Sequence, residues 1–532
     1  MKKDDLLFLN KHINSLEKSK KKYIIVEATK LGVRVMLGGY RKISCLNCLQ
    51  HYCNKLTSCN YYIEDIEAIK KAAKFLLNQN IIFASTLEYT PGKGWELHKI
   101  FPHYRCEICN SNYLCDTVLE ENSIYNTDYH LLRKYDRAQL KSIIDQIPIG
   151  AYSFLKGIDL YRYEHVYITR ILLDLQNKED YAIGRSVSKE ESVFIAVLEG
   201  LERLCLNAKM LHITSKYYGE FNHLKDSVHP ATIIKKNNPY SFRKKNKIQW
   251  IASSSLNDYK TLLIPSQLIL FEENSELKKR NEQRFYSATS NGTAIGSNEN
   301  EALLYAILEH LERFFGLKAW NEKKNLERWK WKYFKDNPYI MDILDFFIKE
   351  KVNIDIINTQ TDLQLPSTIW LHLVWEGKCL NCLGSGLSPD EAVYGALLEA
   401  FTAYKNFSNL DANLRRKSNN LINSNKISSM ADHILYYLDK LDQFSFIQDI
   451  PFYKEGYNSL TRKAKQLNNK GLTWTINKIM SQLDKNIFGI NLTPKYLKML
   501  ENPLYVVKVF IEDSLEFNFG KYDPGKTPHP FV

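Results

Sequence analysis

The sequence predicts a mixed α/β fold, with helices packed on mixed sheets and a smaller α/β domain in front. Three observations carry this. From about residue 131 onward, β-type and α-type stretches alternate. Within that region, a loop of small residues followed by an amphipathic helix occurs three times. Before it, the first 128 residues read as short strands and loops with two Cys-x-x-Cys pairs. The domains are therefore taken as 1–128 and 129–532, with the boundary between about 120 and 140.

In chain order, Tyr23-Ile24-Ile25-Val26-Glu27-Ala28 and Val33-Arg34-Val35-Met36-Leu37 read as strands separated by Gly32. Apolar residues recur with helical period over 63–77. Gly184-Arg185-Ser186-Val187-Ser188 precedes a predicted helix over 189–209. Ser290-Asn291-Gly292-Thr293-Ala294-Ile295-Gly296-Ser297 precedes one over 298–319, and Gly384-Ser385-Gly386-Leu387-Ser388 one over 389–404. Ser188 with Glu191 and Ser388 with Glu391 form capping boxes, and Pro389 suits a first helical position. The stripes Phe194/Val197/Leu198/Leu201/Leu204 and Leu304/Ile307/Leu308/Leu311/Phe315 are core faces. Lys- and Asn-rich stretches at 222–247 and 409–428 read as surface loops, and 505–511 as a late strand. The tail, Pro524-Gly525-Lys526-Thr527-Pro528-His529-Pro530-Phe531-Val532, is too rich in proline for a helix or central strand.

A hydrophobic fraction of 44% with 25% charged residues is that of an ordinary globular protein. No apolar run reaches transmembrane length and no signal-peptide h-region follows Met1, so a cytoplasmic location without membrane is expected. The net charge of +12 invites a nucleic-acid partner, but the basic runs are short, scattered and unaccompanied by any nucleic-acid-binding motif. A solvated basic surface is the reading, with no nucleic acid expected.

Chemistry points to two near-identical segments. Leu198-Glu199-Gly200-Leu201-Glu202-Arg203 and Leu308-Glu309-His310-Leu311-Glu312-Arg313 each place two carboxylates on one helix face. They are either surface i,i+4 pairs or two faces converging on one cleft. Converging carboxylates raise one another's pKa unless a cation compensates, and Mg2+ does so best when phosphates supply further oxygens. Arg185 and the backbone N–H groups of the small loops could then serve those phosphates. No Walker loop is present.

These motifs resemble the YcaO family. Gly184-Arg185-Ser186 with Glu199-x-x-Glu202-Arg203 is similar to its first ATP-site motif, and Ser290-Asn291-Gly292 through Glu309-x-x-Glu312-Arg313 to its second. Gly384-Ser385-Gly386 through Glu399 is similar to the third helix region, and Pro265-Ser266 fits an intervening strand, so the resemblance covers about residues 130–532. It implies ATP and Mg2+ binding by Arg185, Ser186, Glu199, Glu202, Arg203, Asn291, Glu309, Glu312 and Arg313, with Arg203 and Arg313 as ion-pair residues behind the ligands. Two positions depart from the pattern. Ile195 stands where the first helix usually has a serine, and Tyr305 where the second often has a polar residue.

Ten cysteines in a chain without an export signal are not a disulfide framework. Cys45/Cys48 and Cys106/Cys109 could form a four-cysteine zinc site or be buried thiols, while Cys379/Cys382, on a predicted strand, reads as buried thiols. The context His98-Lys99-Ile100-Phe101-Pro102-His103-Tyr104-Arg105-Cys106-Glu107-Ile108-Cys109 resembles the N-terminal domain of streptolysin S-type cyclodehydratases and implies zinc, Zn2+, held by those four thiolates in a docking domain. Such proteins often end in a Pro-x-Pro-x-Pro tail reaching the active site. Pro528 and Pro530 keep two of its prolines, and Val532 replaces the third. His529 is a conceivable general base, although a lone histidine beside a terminus is ordinarily a surface residue.

The resemblance implies an ATP-dependent enzyme that converts Cys, Ser or Thr of a ribosomal precursor peptide to azolines in bacteriocin-like biosynthesis. It implies a separate ThiF-like leader-binding partner docked on residues 1–128 and a flavin-dependent dehydrogenase as a further partner. A homodimer stays open. The alternatives are ATP-dependent backbone thioamidation and a non-catalytic zinc scaffold in the same complex.

Overall fold

A computed structural model describes residues 23–29, 32–38, 71–72, 75–76, 83–90, 94–103, 105–106, 109–119, 137–174, 179–233, 242–360, 366–408, 420, 427, 429–467, 471–515, 517 and 528–531. Strands β1 (Tyr23–Thr29), β2 (Gly32–Gly38), β3 (Ser85–Thr90) and β4 (Gly94–Lys99) form an antiparallel sheet in that order. Of the helix predicted over 63–77, Lys71, Ala72, Phe75 and Leu76 are described and helical. Buried Arg34 pairs with Glu88 and donates to the Tyr152 hydroxyl at 3.0 Å, tying this sheet to the next part of the chain.

The short strand β5 (Leu114–Cys115) places Leu114 opposite His212, and Asn491 N–H donates to Thr117 O at 3.0 Å. Phe83, Phe101 and Tyr113 share one apolar cluster with Trp250 and Tyr496. The described residues between 83 and 119 are thus packed on the rest of the chain. The predicted boundary at 128 falls in 120–136, outside the described residues.

Next come α1 (Arg137–Gln146), β6 (Leu155–Tyr163), β7 (Val166–Asp174), β8 (Glu179–Ser186) and α2 (Lys189–Leu206), with β6-β7-β8 as one sheet. The strands β9 (His212–Ile213), β10 (Lys216–Gly219), β11 (Ile248–Ser255), β12 (Thr261–Pro265) and β13 (Thr293–Gly296) lead to α3 (Glu299–Glu322). Then follow β14 (Glu327–Trp329), α4 (Pro338–Lys349), β15 (Asn353–Asn358), β16 (Ser367–Trp375), β17 (Lys378–Gly386) and α5 (Pro389–Phe407). The chain ends in α6 (Met430–Tyr437), α7 (Lys454–Leu467), α8 (Leu472–Leu483), β18 (Ile487–Asn491), β19 (Tyr505–Ile511) and the tail. One six-stranded sheet runs β10-β11-β18-β19-β13 with β12 on β11, and another runs β14-β15-β16-β17.

The expected mixed sheets are corrected. Among the described residues, the four larger sheets are antiparallel and the parallel strand pair is β5–β9. For β16–β17 a tight turn explains this: Glu376 and Gly377 both have positive φ and join Trp375 to Lys378 in a two-residue hairpin.

Three strand–loop–helix units dominate: β8–α2, β13–α3 and β17–α5. In each, the helix lies back on its own strand. A Cβ on Gly184 would sit 1.8 Å from Ser192 O, and one on Gly384 2.2 Å from Ala392 O, so only glycine permits this approach. Ser188, Asn298 and Ser388 cap the three helices by accepting the N–H of Glu191, Glu301 and Glu391. The returning Glu391 carboxylate takes Leu387 N–H, one residue before the cap, at 2.9 Å. Helix α2 stops before its predicted end because Asn207 turns extended, whereas α3 runs on to Glu322 because Ala319 and Trp320 still bury apolar surface.

Candidate active site

The three units share one internal bond. Glu199 Oε2 accepts Ile183 N–H at 2.6 Å, Glu309 accepts Thr293 N–H, and Glu399 accepts Leu383 N–H. In each, the acceptor lies sixteen residues after the donor. A carboxylate near the middle of each helix thus ties it to the strand it follows.

The units then meet through unlike partners. Arg185 Nε, in the first loop, donates to Thr402 Oγ1 on α5 at 2.9 Å. Glu202 Oε1 accepts Ile295 N–H at 3.0 Å and ties α2 to β13. Arg313 lies 3.4 Å from Glu312 and feels Glu399 and Glu309 as well. Burial disfavours its guanidinium, but those three carboxylates more than offset this and hold the charge. Arg185, Arg313, Glu309, Glu312, Glu399 and Cys382 therefore form one charged cluster where three units converge.

Desolvation first, then the neighbouring Glu312, pushes the Glu309 carboxyl up to about 7, against Arg313 and Lys508. Desolvation likewise raises Glu399, opposed by Arg313 and Arg185. The thiols behave as predicted for buried cysteines: Cys379 is pushed up to about 12, and Cys382 well above its usual value.

Other predicted residues sit apart. Arg203 spans Asp180 at 2.8 Å and Glu199 at 2.7 Å, so the Glu199 carboxylate is spent on Arg203 and the strand N–H. Ser186 is buried and gives its hydroxyl to Glu191. Asn291 is buried, and its side-chain Nδ2 has no hydrogen-bond partner among the described residues. Ile195 and Tyr305 hold equivalent half-buried positions on α2 and α3, where α5 has Gly395.

The tail is built into this region. Residues 528–531 are buried. Tyr437 donates its hydroxyl to Pro528 O, His433 Nδ1 lies 2.8 Å from His529 O, and Phe531 bridges to Asn381 of β17. Pro530 lies buried between His529 and Phe531. The His529 ring stacks between His433 at 4.1 Å and Phe517 at 4.2 Å, and Phe517 in turn faces the Arg313 guanidinium at 4.9 Å. The expected surface position of His529 is thus corrected. Burial, with His433 and Arg313 nearby, holds its pKa well below the usual value, leaving a neutral ring of low basicity. Sequence reasoning left Glu399, Thr402, Lys508 and Phe517 out of the site. Glu399 was named only within the third helix region, and its spacing of sixteen from Leu383, the same as in the other two units, is the signal that could have placed it in the site.

Residues 183–513 match the family model described as YcaO cyclodehydratase, ATP- and Mg2+-binding. The chain belongs to the YcaO family. It is therefore an ATP-dependent cyclodehydratase. The YcaO chain resembles a heterocyclase solved in complex with substrate and cofactor, at TM-score 0.67 and 15% identity, covering 97% of this chain and 76% of that one. It also resembles the heterocyclase TruD, at TM-score 0.58 and 13% identity, covering 97% and 73%. At such identities the likeness is one of fold. No curated protein matches the chain.

A YcaO protein needs a place for Mg2+ and nucleotide. Among the described residues, no three His, Cys, Asp or Glu side chains are grouped to hold a metal. Mg2+ does not require such a cage, because it keeps waters and takes phosphate oxygens beside one or two carboxylates. The residues present fit: Glu309 carries an uncomfortable desolvated carboxyl beside Glu312, and the Asn291 amide is buried with an unused donor. For zinc, Cys45 and Cys48 lie outside the described residues. Cys106 and Cys109 are buried in one turn, with Cys109 N–H donating to Cys106 O at 3.1 Å. No helix among the described residues is long and apolar enough to cross a membrane.

Proposed function

We propose that this YcaO chain forms azoline rings on a ribosomal precursor peptide, as the catalytic subunit of a streptolysin S-type complex in bacteriocin-like biosynthesis. The observation that supports it is the cluster of Arg185, Glu309, Glu312, Arg313 and Glu399 where three units meet, with the buried tail beside it. A substrate Cys, Ser or Thr side chain attacks the preceding carbonyl carbon. The carbonyl oxygen takes the γ-phosphoryl group of ATP and ADP leaves. The side-chain attack, with loss of its S–H or O–H proton, has already closed the five-membered ring; phosphate then departs with that oxygen, the amide nitrogen loses its proton, and the C=N bond forms within the ring.

Bound Mg2+ would neutralise charge on the phosphates, and Glu202, Glu309 and Glu312 are the residues to hold it. Arg185 and the Asn291 amide bind phosphate oxygens, with Ser186 shaping the first loop. Arg313 lies against the acidic cluster and opposes the upward push on Glu309 and Glu399, while Glu199 and Arg203 brace the first unit. Pro528 and Pro530 fix the tail that walls the site beside Arg313, and orient the substrate amide. A neutral, low-basicity His529 serves this wall and not proton transfer.

In the same proposal, residues 1–128 form a docking domain with zinc on Cys45, Cys48, Cys106 and Cys109, and residues 129–532 form the catalytic domain, in the cytoplasm. A ThiF-like protein presents the leader and a flavin-dependent dehydrogenase finishes the azoles. The test combines purified protein, leader-binding partner, precursor peptide and Mg-ATP, read by mass spectrometry. Loss of one water per modified residue supports the reading, exchange of oxygen for sulfur would show thioamidation instead, and unmodified peptide with ATP intact would sink both. Metal analysis should find about one zinc per chain, lost on Cys45→Ser with Cys106→Ser.

A further inference from the structure

The loop before α3 is shaped by a residue that lies more than two hundred positions away in sequence. Lys508, on β19, stands opposite Thr293 in the β13–β19 pairing and is 1% exposed. Its Nζ donates to Thr289 O at 2.8 Å, to Asn291 O at 3.0 Å and to Thr293 Oγ1 at 3.2 Å. An ammonium has three donors, and here all three reach a single five-residue stretch. Two backbone bonds complete the shape: Thr293 N–H to Ser290 O at 3.0 Å and Val509 N–H to Gly292 O at 2.7 Å. Gly292 has φ +68, and a Cβ there would meet Val509 O at 2.6 Å. The chain is therefore wrapped tightly around the Lys508 ammonium.

A buried ammonium is costly unless fully paired, and here the pairing comes from the loop that leads into β13. What the wrapped loop carries is Asn291, whose carbonyl oxygen is held by Lys508 while its side-chain Nδ2, although buried, has no partner among the described residues. The Glu309 carboxylate, on the following helix, takes Thr293 N–H from the same stretch.

We propose that Lys508 is a positioning residue for nucleotide: it holds residues 289–293 in the shape that offers the Asn291 amide to a magnesium-bound nucleoside triphosphate, without touching that ligand. This rests on the nucleotide site proposed above.

The experiment uses the full chain as wild type, Lys508→Met and Thr293→Val. Calorimetry reads binding of a non-hydrolysable ATP analogue with Mg2+, and hydrogen exchange reads the nucleotide-free proteins. Lys508→Met should bind the analogue about tenfold more weakly, the loss of roughly one well-placed hydrogen bond. Amide protection should fall over 289–293 and persist in β18 and the body of α3. In the reconstituted reaction, KM for ATP should rise while kcat at saturating ATP holds. Thr293→Val removes one acceptor and leaves the charge, and should move the same readouts less. It decides the matter if Lys508→Met does not fold. Analogue binding at wild-type strength by a folded variant, or exchange raised evenly across β19 and α3, overturns the proposal. If the wild type itself binds no analogue, it is the nucleotide site that fails.

Discussion

Arg185 Nε donates to Thr402 Oγ1 at 2.9 Å across 217 residues of sequence, joining the loop of the first unit to the helix of the third. The guanidinium is thereby held near Glu399 and Cys382, with its remaining N–H groups free of the Thr402 bond. Fixed donors aimed at developing phosphate charge contribute most when they need no reorganisation. Arg185→Ala should therefore lower ATP-dependent peptide modification by about 10²-fold, with the circular dichroism spectrum unchanged. Arg185→Lys should recover little, because an ammonium cannot bond Thr402 and phosphate in the same planar geometry. Phosphate release under saturating peptide measures both, and wild-type rates in Arg185→Ala would remove Arg185 from the site.

The Glu309 carboxyl, pushed up to about 7 from an ordinary 4.5, makes a signed prediction. A carboxyl raised in the folded state binds its proton more tightly there than in the unfolded chain, so it favours folding at low pH. That contribution is lost as pH climbs from about 4.5 through about 7. Glu309→Gln keeps an acceptor for Thr293 N–H and removes the titration. In metal-free buffer, the melting temperature of wild type relative to Glu309→Gln should fall as pH rises through that window. Saturating Mg2+ and nucleotide should flatten the difference, since a cation favours the carboxylate. A pH-independent difference would mean that the carboxyl binds its proton equally in the folded and unfolded chain and is not raised by burial.

The loops, two of the caps and the apolar stripes were legible because they are local: Ser188 and Ser388 act within three residues of themselves, whereas the Asn298 cap lay inside the helix predicted over 298–319. The Glu-x-x-Glu-Arg segments were legible as motifs but not as roles. Glu199–Arg203 and Glu309–Arg313 have the same spacing, yet Arg203 finds Asp180 while Arg313 finds Glu312 and Glu399. That difference is made by Asp180 on β8 beside Arg203 and by Glu399 on α5, another helix, beside Arg313. Glu399 was reached as part of the third helix region but given no site role, because its helix continues to Thr402 and Ala403, where the others have Glu and Arg. Lys508 was illegible for a related reason, since its meaning depends on the β13–β19 pairing. The His529 environment depends on His433, 96 residues earlier.

Phe531 packs edge-on against Trp370 at 5.3 Å and parallel to Phe517 at 5.9 Å. Fully buried, it anchors the tail in the apolar cluster behind β17. Phe531→Ala should cost about 3 kcal/mol, read as a shift of the denaturant midpoint. Because Phe517 also covers Arg313, activity well below the unfolding temperature should fall further than the stability loss explains. His529→Ala should be milder in stability, as it removes a smaller ring. Full activity in a folded Phe531→Ala protein would detach the tail from the site.

Gly384 and Gly395 test the close approach of strand and helix from opposite directions. A Cβ on Gly384 would meet Ala392 O at 2.2 Å and the Ala396 Cβ at 2.8 Å, both on the α5 helix that β17 supports. Neither atom belongs to a flexible side-chain end, so β17 must lift off α5. The bond from Leu383 N–H to Glu399 would stretch with it. Gly384→Ala should therefore destabilise by about 3 kcal/mol and impair modification. Gly395 lies inside the same helix, and a methyl added there would have nothing within 4 Å. Gly395→Ala should instead stabilise by roughly 1 kcal/mol, because alanine loses less backbone freedom in a helix. Equal and small effects at both positions would mean that helix and strand do not touch at Gly384, and Glu399 would then lose its lock on Leu383.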